Sequence, residues 1–237
     1  MCQDHSMDQN LAGKRVLVTG GSRGIGYAIA DKLSQAGAAV AICGRSERDL
    51  REAVTALGGS RSGKVVGAIA DVSNSEAVEG LFRWTDEQLG GLDLLVNNAG
   101  IGIFKPAAEL TPEEWRKVIE INLNGAFYCT REALPRFRQA GGGYLINISS
   151  LAGKNPFAGG AAYNASKFGL NGFSEAVMLD HRADRVRVTY IMPGSVDTEF
   201  GGSGTGADWK IHPQDIAQIV MDLLALPERT LVSRVEV

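Results

Sequence analysis

Tyr163 and Lys167 stand four residues apart in the run AAYNASKFGL, a spacing that places both side chains on one side of a helix, one turn apart. A phenol with a pKa of about 10 is a poor acid–base group at neutral pH, and a neighbouring ammonium stabilises its phenolate and lowers that value. The pair therefore suits proton transfer to or from an oxygen atom. The same spacing is common on solvated helix faces, so it carries chemistry only in company. Ser149 and Ser150 end the apolar run YLINI, and a serine hydroxyl there could hold a substrate oxygen. Asn122 falls on a stripe with Trp115, Val118, Ile119 and Ala126. The helix carrying it is announced by Thr111-Pro112-Glu113-Glu114, a capping box with proline at the first helical position. An amide on an apolar stripe must find a partner or cost about 1–3 kcal/mol in desolvation, so it either bends its helix or serves a site.

A second kind of chemistry sits near the N-terminus. Thr19-Gly20-Gly21-Ser22-Arg23-Gly24-Ile25-Gly26 follows the apolar run RVLVT and leads into a periodic segment around Ala28, Ile29 and Leu33. Glycines let a backbone turn sharply and approach a pyrophosphate, and a helix N-terminus offers free N–H groups and a positive dipole end. At the end of the second apolar run, where a carboxylate usually binds both adenine-ribose hydroxyls of NAD, stands Gly44. Gly44 leaves room for a 2′-phosphate, Arg45 follows with a guanidinium suited to it, Arg23 supplies a second cation, and Ser46 adds a hydroxyl. The charge pattern favours NADP(H).

The T-G-x-x-x-G-x-G pattern at this turn resembles that of the classical short-chain dehydrogenases/reductases, and further motifs follow in order from about Lys14 to Thr198. The resemblance selects Ser150 over Ser149, since Ser150 precedes Tyr163 by the family's spacing, and completes a catalytic tetrad of Asn122, Ser150, Tyr163 and Lys167. It implies that Asn122 bends its helix and holds a water in a proton relay, and that Tyr163 and Lys167 also meet the nicotinamide ribose. Gly20, Ser22, Arg23, Gly24, Ile25 and Gly26 would cradle the phosphates. Asp71-Val72 resembles the adenine-contacting pair. Asn97-Asn98-Ala99-Gly100 resembles the N-N-A-G motif, in which Asn98, Ala99 and Gly100 line the adenine ribose. Pro193, Gly194, Val196 and Thr198 belong to a segment resembling the one that holds the nicotinamide. The family commonly forms dimers and tetramers, and Ala165, Gly169, Gly172 and Ala176 make a small-residue stripe suited to close helix approach.

These residues need a scaffold, and the chain alternates accordingly. Strand-like runs recur at Arg15 to Thr19, Ala39 to Cys43, Lys64 to Ala70, Leu92 to Val96, Tyr144 to Ile148, Val186 to Met192 and Leu231 to Val237, with helix-periodic segments between them. Strand and helix in alternation imply an α/β fold, a Rossmann-like doubly wound parallel sheet of about seven strands with helices on both faces. Ligands are then expected beyond the strands' carboxyl ends. The expected organisation is one domain over 11–237, a flexible polar leader over 1–10, and a short glycine-rich substrate lid over about 199–212, with its Gly201 to Gly206 run mobile and Trp209 as hinge or wall.

Composition narrows the function classes. Hydrophobic residues at 44% and charged residues at 22% suit a soluble globular chain, and a net charge of −3 offers no basic field for nucleic acid. No apolar stretch approaches the roughly 20 residues of a membrane span. Cys2, Cys43 and Cys129 are scattered and odd in number, which fits a reducing compartment, the cytoplasm, better than a disulfide framework. His5 has metal-like company only in Cys2 and Asp4, and no metal site is expected. The expected activity is NADP(H)-dependent hydride transfer between nicotinamide and the carbonyl or alcohol carbon of a small substrate. An NAD-dependent alcohol or sugar dehydrogenase and a catalytically idle dinucleotide-binding sensor are the alternatives. The last strand lacks the Asp-Gly-Gly-like close of many 3-oxoacyl-carrier-protein reductases, which turns the expectation toward general carbonyl, sugar or hydroxy-acid substrates.

Overall fold

The computed structural model describes residues 10–59, 63–202 and 206–237. Residues 1–9 of the expected leader, with Cys2, Asp4 and His5, and residues 203–205 of the expected lid lie outside the described residues.

One seven-stranded parallel sheet runs in the order β3-β2-β1-β4-β5-β6-β7. Its strands are β1 (Arg15–Thr19), β2 (Ala39–Gly44), β3 (Val65–Ile69), β4 (Leu94–Asn97), β5 (Gly143–Ile148), β6 (Val186–Met192) and β7 (Arg234–Glu236). The connecting helices are α1 (Gly24–Gln35), α2 (Glu47–Gly58), α3 (Ser75–Leu89), α4 (Pro112–Ile119), α5 (Gly125–Gln139), α6 (Ala161–Asp180) and α7 (Pro213–Ala225). Alternation along each strand divides the core into two layers. Val16, Val18, Leu94, Val96, Ile146 and Ile148 pack with Ile29, Leu33, Ile216 and Val220 of α1 and α7. Leu17, Leu95 and Leu145 point the other way, onto Phe82, Cys129 and Phe137 of α3 and α5.

The expected strands are all present, with shifts of one or two residues at the ends of β2, β3, β4 and β5 and a marked shortening of β7. β7 covers Arg234–Glu236, not Leu231 to Val237, because the stretch before it is held by a side chain: Thr189 Oγ1 donates to the Val232 carbonyl at 2.6 Å. The chain returns from β3 to β4 on the far side of β1. The sheet's direction of winding therefore reverses between β1 and β4, and the crevice beyond their carboxyl ends is the natural ligand site. Among the described residues no helix is long and apolar enough to cross a membrane, and no three His, Cys, Asp or Glu side chains converge as a metal site.

Candidate active site

The glycine turn after β1 is shaped by backbone contacts that a side chain would block. Gly20 has φ of 63°, and a Cβ there would lie 2.9 Å from Ala99 Cα. A Cβ on Gly26 would lie 2.3 Å from the Gly20 carbonyl oxygen. Asn98 ties the turn down, its Nδ2 donating to the Thr19 and Gly20 carbonyls at 3.0 Å each, while Thr19 Oγ1 accepts from the Asn98 and Ala99 N–H groups. The Asn98 amide thus reaches the site through the loop it braces. α2, α3 and α4 begin with side-chain caps from Ser46, Asn74 and Thr111, whereas α1 begins without one. Its first N–H groups remain available to an anion, and the uncapped end in a glycine cradle fits the pyrophosphate of a dinucleotide.

The other expected contacts surround this turn. Gly44 ends β2 beside Ser22, whose Oγ would lie 3.3 Å from an added Cβ. Arg45 is exposed, and Arg23 reaches across the cleft to within 3.9 Å of Glu199. Ser46 Oγ accepts from the Asp49 N–H at 3.3 Å and so caps α2. Partial burial pushes the Asp71 carboxyl up, but hydrogen bonds from the Ser73 side chain and backbone, helped by the Arg45 charge, outweigh it and hold the group below the usual carboxylate range. Val72 packs where a Cβ on Gly125 would stand, 2.9 Å from its Cγ2. Beyond β6, the Pro193 carbonyl accepts from Leu151 N–H and Gly194 N–H donates to the Val237 carbonyl. Val196 bridges Ile211, and Thr198 Cγ2 lies 3.4 Å from the Cβ position of Gly24. The segment after β6 therefore meets the glycine turn across the crevice.

The four polar residues expected to form a tetrad converge at the same crevice. Ser149 Oγ donates to Asn171 Oδ1, a committed structural bond, whereas Ser150 Oγ accepts from the Ala152 N–H at 3.1 Å, meets the Pro193 carbonyl at 3.5 Å, and stands near enough to the Tyr163 phenol to favour its charged form. Lys167 is buried beneath Tyr163, its Nζ 5.7 Å from the ring centroid and donating to the Ile148 carbonyl at 2.8 Å. The expected lowering of the phenol by this ammonium is not what the structure shows. Burial pushes the Tyr163 phenol up and the Ser150 hydrogen bond draws it back only in part; burial also draws Lys167 itself down to about 8. Taking a charge out of water dominates when no counter-charge lies beside it.

Asn122 sits in a π-helical turn, Glu120–Asn124, that joins α4 to α5. The winding changes at Asn122, and its amide is engaged by protein: Oδ1 accepts from Ile101 N–H at 2.8 Å, and Nδ2 donates to the Ile101 carbonyl and to Ser166 Oγ. A cavity of about 10 Å³, close to the volume that admits one water, is lined by Asn122, Asn97 and Thr19. Trp115, placed on the Asn122 stripe by α-helical spacing, instead faces solvent.

Three groups at the site escaped sequence reasoning. Ser166 Oγ donates to the Tyr163 carbonyl and accepts from Asn122, joining two helices, yet it reads as an ordinary helical serine. Asn147 Oδ1 accepts from Asn97 Nδ2 at 3.0 Å, pairing β5 with β4 under the crevice. Phe104, Phe157 and Phe200, from three separate loops, surround Tyr163. Only their apolarity was visible.

Comparison with known proteins agrees with this geometry. The family model of short chain dehydrogenases matches residues 14–206. A 3β-hydroxysteroid dehydrogenase of Mediterraneibacter gnavus is 40% identical over 205 residues, 86% of this chain and 73% of that protein. The alcohol dehydrogenase of the archaeon Thermococcus sibiricus, complexed with 5-hydroxy-NADP, superposes with a TM-score of 0.89 at 32% identity, covering 94% of this chain and 95% of that one. A metagenomic short-chain oxidoreductase in complex with NADP gives a TM-score of 0.86 at 38% identity, covering 96% and 97%.

Proposed function

This chain belongs to the short-chain dehydrogenase family and acts on CH–OH or C=O groups, and we propose that it is an NADP(H)-dependent reductase with Tyr163 as its proton donor. The observation that carries the reading is the convergence of Ser150, Tyr163 and Lys167 on the crevice floored by the glycine turn. When bound, the reduced nicotinamide supplies hydride to the carbonyl carbon. Ser150 orients the carbonyl oxygen, and Tyr163 delivers its phenolic proton to that oxygen as the alcohol forms. Lys167 holds the nicotinamide ribose hydroxyls and, with its pKa near neutrality, returns a proton to Tyr163. Asn122 fixes the Ile101 backbone at the crevice wall and, through Ser166, the start of α6. Pro193, Gly194, Val196 and Thr198 hold the carboxamide end of the cofactor, and Asp71, Val72, Ala99 and Gly100 its adenosine end. A screen of carbonyls and alcohols followed by NADPH absorbance tests the assignment. Turnover on none of them, with bound cofactor confirmed, would favour the sensor alternative.

The choice of NADP(H) over NAD(H) rests on exposed Arg45 after a β2 that ends in Gly44, with Arg23 opposite. Both neighbours described with cofactor carry NADP or its derivative. NADPH is expected to bind at least tenfold tighter than NADH. Arg45→Ala should weaken NADPH about ten- to a hundredfold while leaving NADH unchanged, the loss of one charge-assisted contact. Fluorescence titration of both cofactors checks this, and equal affinities in the wild type would reverse the NADP assignment.

The working form is a homodimer or tetramer built on α5 and α6. Phe127 and Phe168 project from these helices half-exposed, Leu179 more so, and Gly172 of the small-residue stripe has open space before it. Gly172→Glu should break the assembly into smaller species. Light scattering at micromolar concentration reads the result, and a wild-type monomer would count against the oligomer. The cytoplasm is the proposed location.

A further inference from the structure

The rings around Tyr163 form a built surface. Phe104 and Phe200 each pack against Tyr163, with centroids 5.6 and 5.7 Å away, Phe157 lies 6.5 Å from it, and Phe104 and Phe157 meet edge to face at 5.6 Å. Despite these contacts the three phenylalanines remain 41%, 44% and 39% exposed, all beside the one group positioned to protonate a substrate. They come from different segments, and glycines make room for the Phe104 and Phe157 rings. A Cβ on Gly102 would lie 2.5 Å from Phe104 Cζ, one on Gly201 would lie 2.4 Å from Phe104 Cε2, and one on Gly160 would lie 2.7 Å from Phe157 Cζ. Asn164 Nδ2 donates to the Phe157 carbonyl, and a bridge between Lys105 and Gly160 ties the Phe104 loop to the start of α6. Lys105, next to Phe104 in the chain, pairs with Glu114.

Resting on the assignment of Tyr163 as proton donor, we propose that the substrate is a ketone, or the corresponding secondary alcohol, whose carbonyl carbon is attached to a flat apolar ring system. The ring lies against Phe104, Phe157 and Phe200 while the oxygen reaches Ser150 and Tyr163. Half-exposed aromatic rings gain most from covering by another flat apolar body, through area removed from water and through edge-to-face and offset-stacked geometry. A carboxylate or ammonium on the substrate would have to give up water against these half-exposed rings, which disfavours hydroxy acids and amino acids. This narrows the general carbonyl, sugar and hydroxy-acid range to one class.

The holoenzyme with NADPH is assayed on aryl and alicyclic ketones, on straight-chain aldehydes and on 2-keto acids. The ring-bearing ketones are expected to give kcat/KM at least tenfold above the other two sets. Phe104→Ala and Phe157→Ala should raise KM for the ring ketones about tenfold with kcat and NADPH affinity little changed, and Phe104→Leu should fall between. In parallel, saturation-transfer NMR with an aryl secondary alcohol and NADPH, a pair between which no hydride can pass, reads binding without turnover, and titration of the alcohol should show about tenfold weaker binding in Phe104→Ala. Equal or better kcat/KM on 2-keto acids or straight-chain aldehydes overturns the ring proposal and leaves Tyr163 chemistry standing. Absence of alcohol binding to the wild-type holoenzyme also overturns it. Ring-ketone turnover that survives Tyr163→Phe undercuts instead the proton-donor assignment beneath it.

Discussion

Tyr163→Phe is expected to lower kcat by about three orders of magnitude while cofactor affinity and thermal stability stay close to wild type. The substitution removes one oxygen and keeps the ring, so the aromatic contacts to Phe104 and Phe200 persist. What is lost is the proton donor, and positioned general acids contribute typically 10²–10⁴-fold. Among the described residues no cluster of His, Cys, Asp or Glu side chains that could hold a metal stands by to replace it. A pH dependence follows in the wild type. Reduction needs the phenol protonated and Lys167 charged to return its proton, so the reduction rate should fall first as pH rises past about 8, where Lys167 titrates, and again through the phenol's pKa, which burial sets above the ordinary tyrosine value. Steady-state assays of both proteins across pH check this. Retention of more than a few per cent of the wild-type rate would assign the acid elsewhere.

Gly26→Ala is expected to weaken cofactor binding by about a hundredfold or more and to lower the melting temperature by several degrees. Two effects oppose each other. Alanine is the better helix former by up to about 1 kcal/mol, and Gly26 lies within α1. Its new methyl, however, would lie 2.3 Å from the Gly20 carbonyl oxygen and 2.4 Å from Asn98 Nδ2, and relief requires moving backbone. Overpacking of this kind costs about 1–3 kcal/mol, so it wins, and it does so by pushing the glycine turn out of the shape an anion needs. Calorimetric scans with and without NADPH read both consequences together. Wild-type affinity in this variant would mean that the cofactor phosphates lie elsewhere.

Much of the site was legible because its motifs are local. The glycine turn, the Tyr163–Lys167 spacing and the Thr111 capping box are each decided within about eight residues, and each stands where expected. Strand positions were readable for the same reason, since buried parallel strands are short apolar runs; β1 and β6 coincide with theirs. Three things lay beyond local reading. The Phe104, Phe157 and Phe200 cluster is assembled from loops far apart in the chain, and no spacing announces it. The direction of the Tyr163 shift depends on how much water the fold excludes, a property of the whole crevice. The π turn at Asn122 broke the 3.6-residue count, which is why Trp115 faces solvent although it was placed on a stripe with Asn122.

That turn also sets a phase. A π turn holds one more residue than α-helical winding would, and one residue of an α-helix is about 100° of rotation. α4 and α5 therefore act as two shafts joined by an offset coupling. Val118 on the first points inward and Ala126, Cys129 and Ala133 on the second point inward too, although the two sets belong to different windings. Rewinding Glu120–Asn124 as plain α-helix at its present length would turn α5 by about a quarter revolution against α4. The Asn122 amide would swing off the Ile101 backbone, and Phe127, now outward, would trade places with residues of the core. The π winding thus works as a register key for two long stretches of chain, taking up one residue without turning the inner face of α5 away from that of α4.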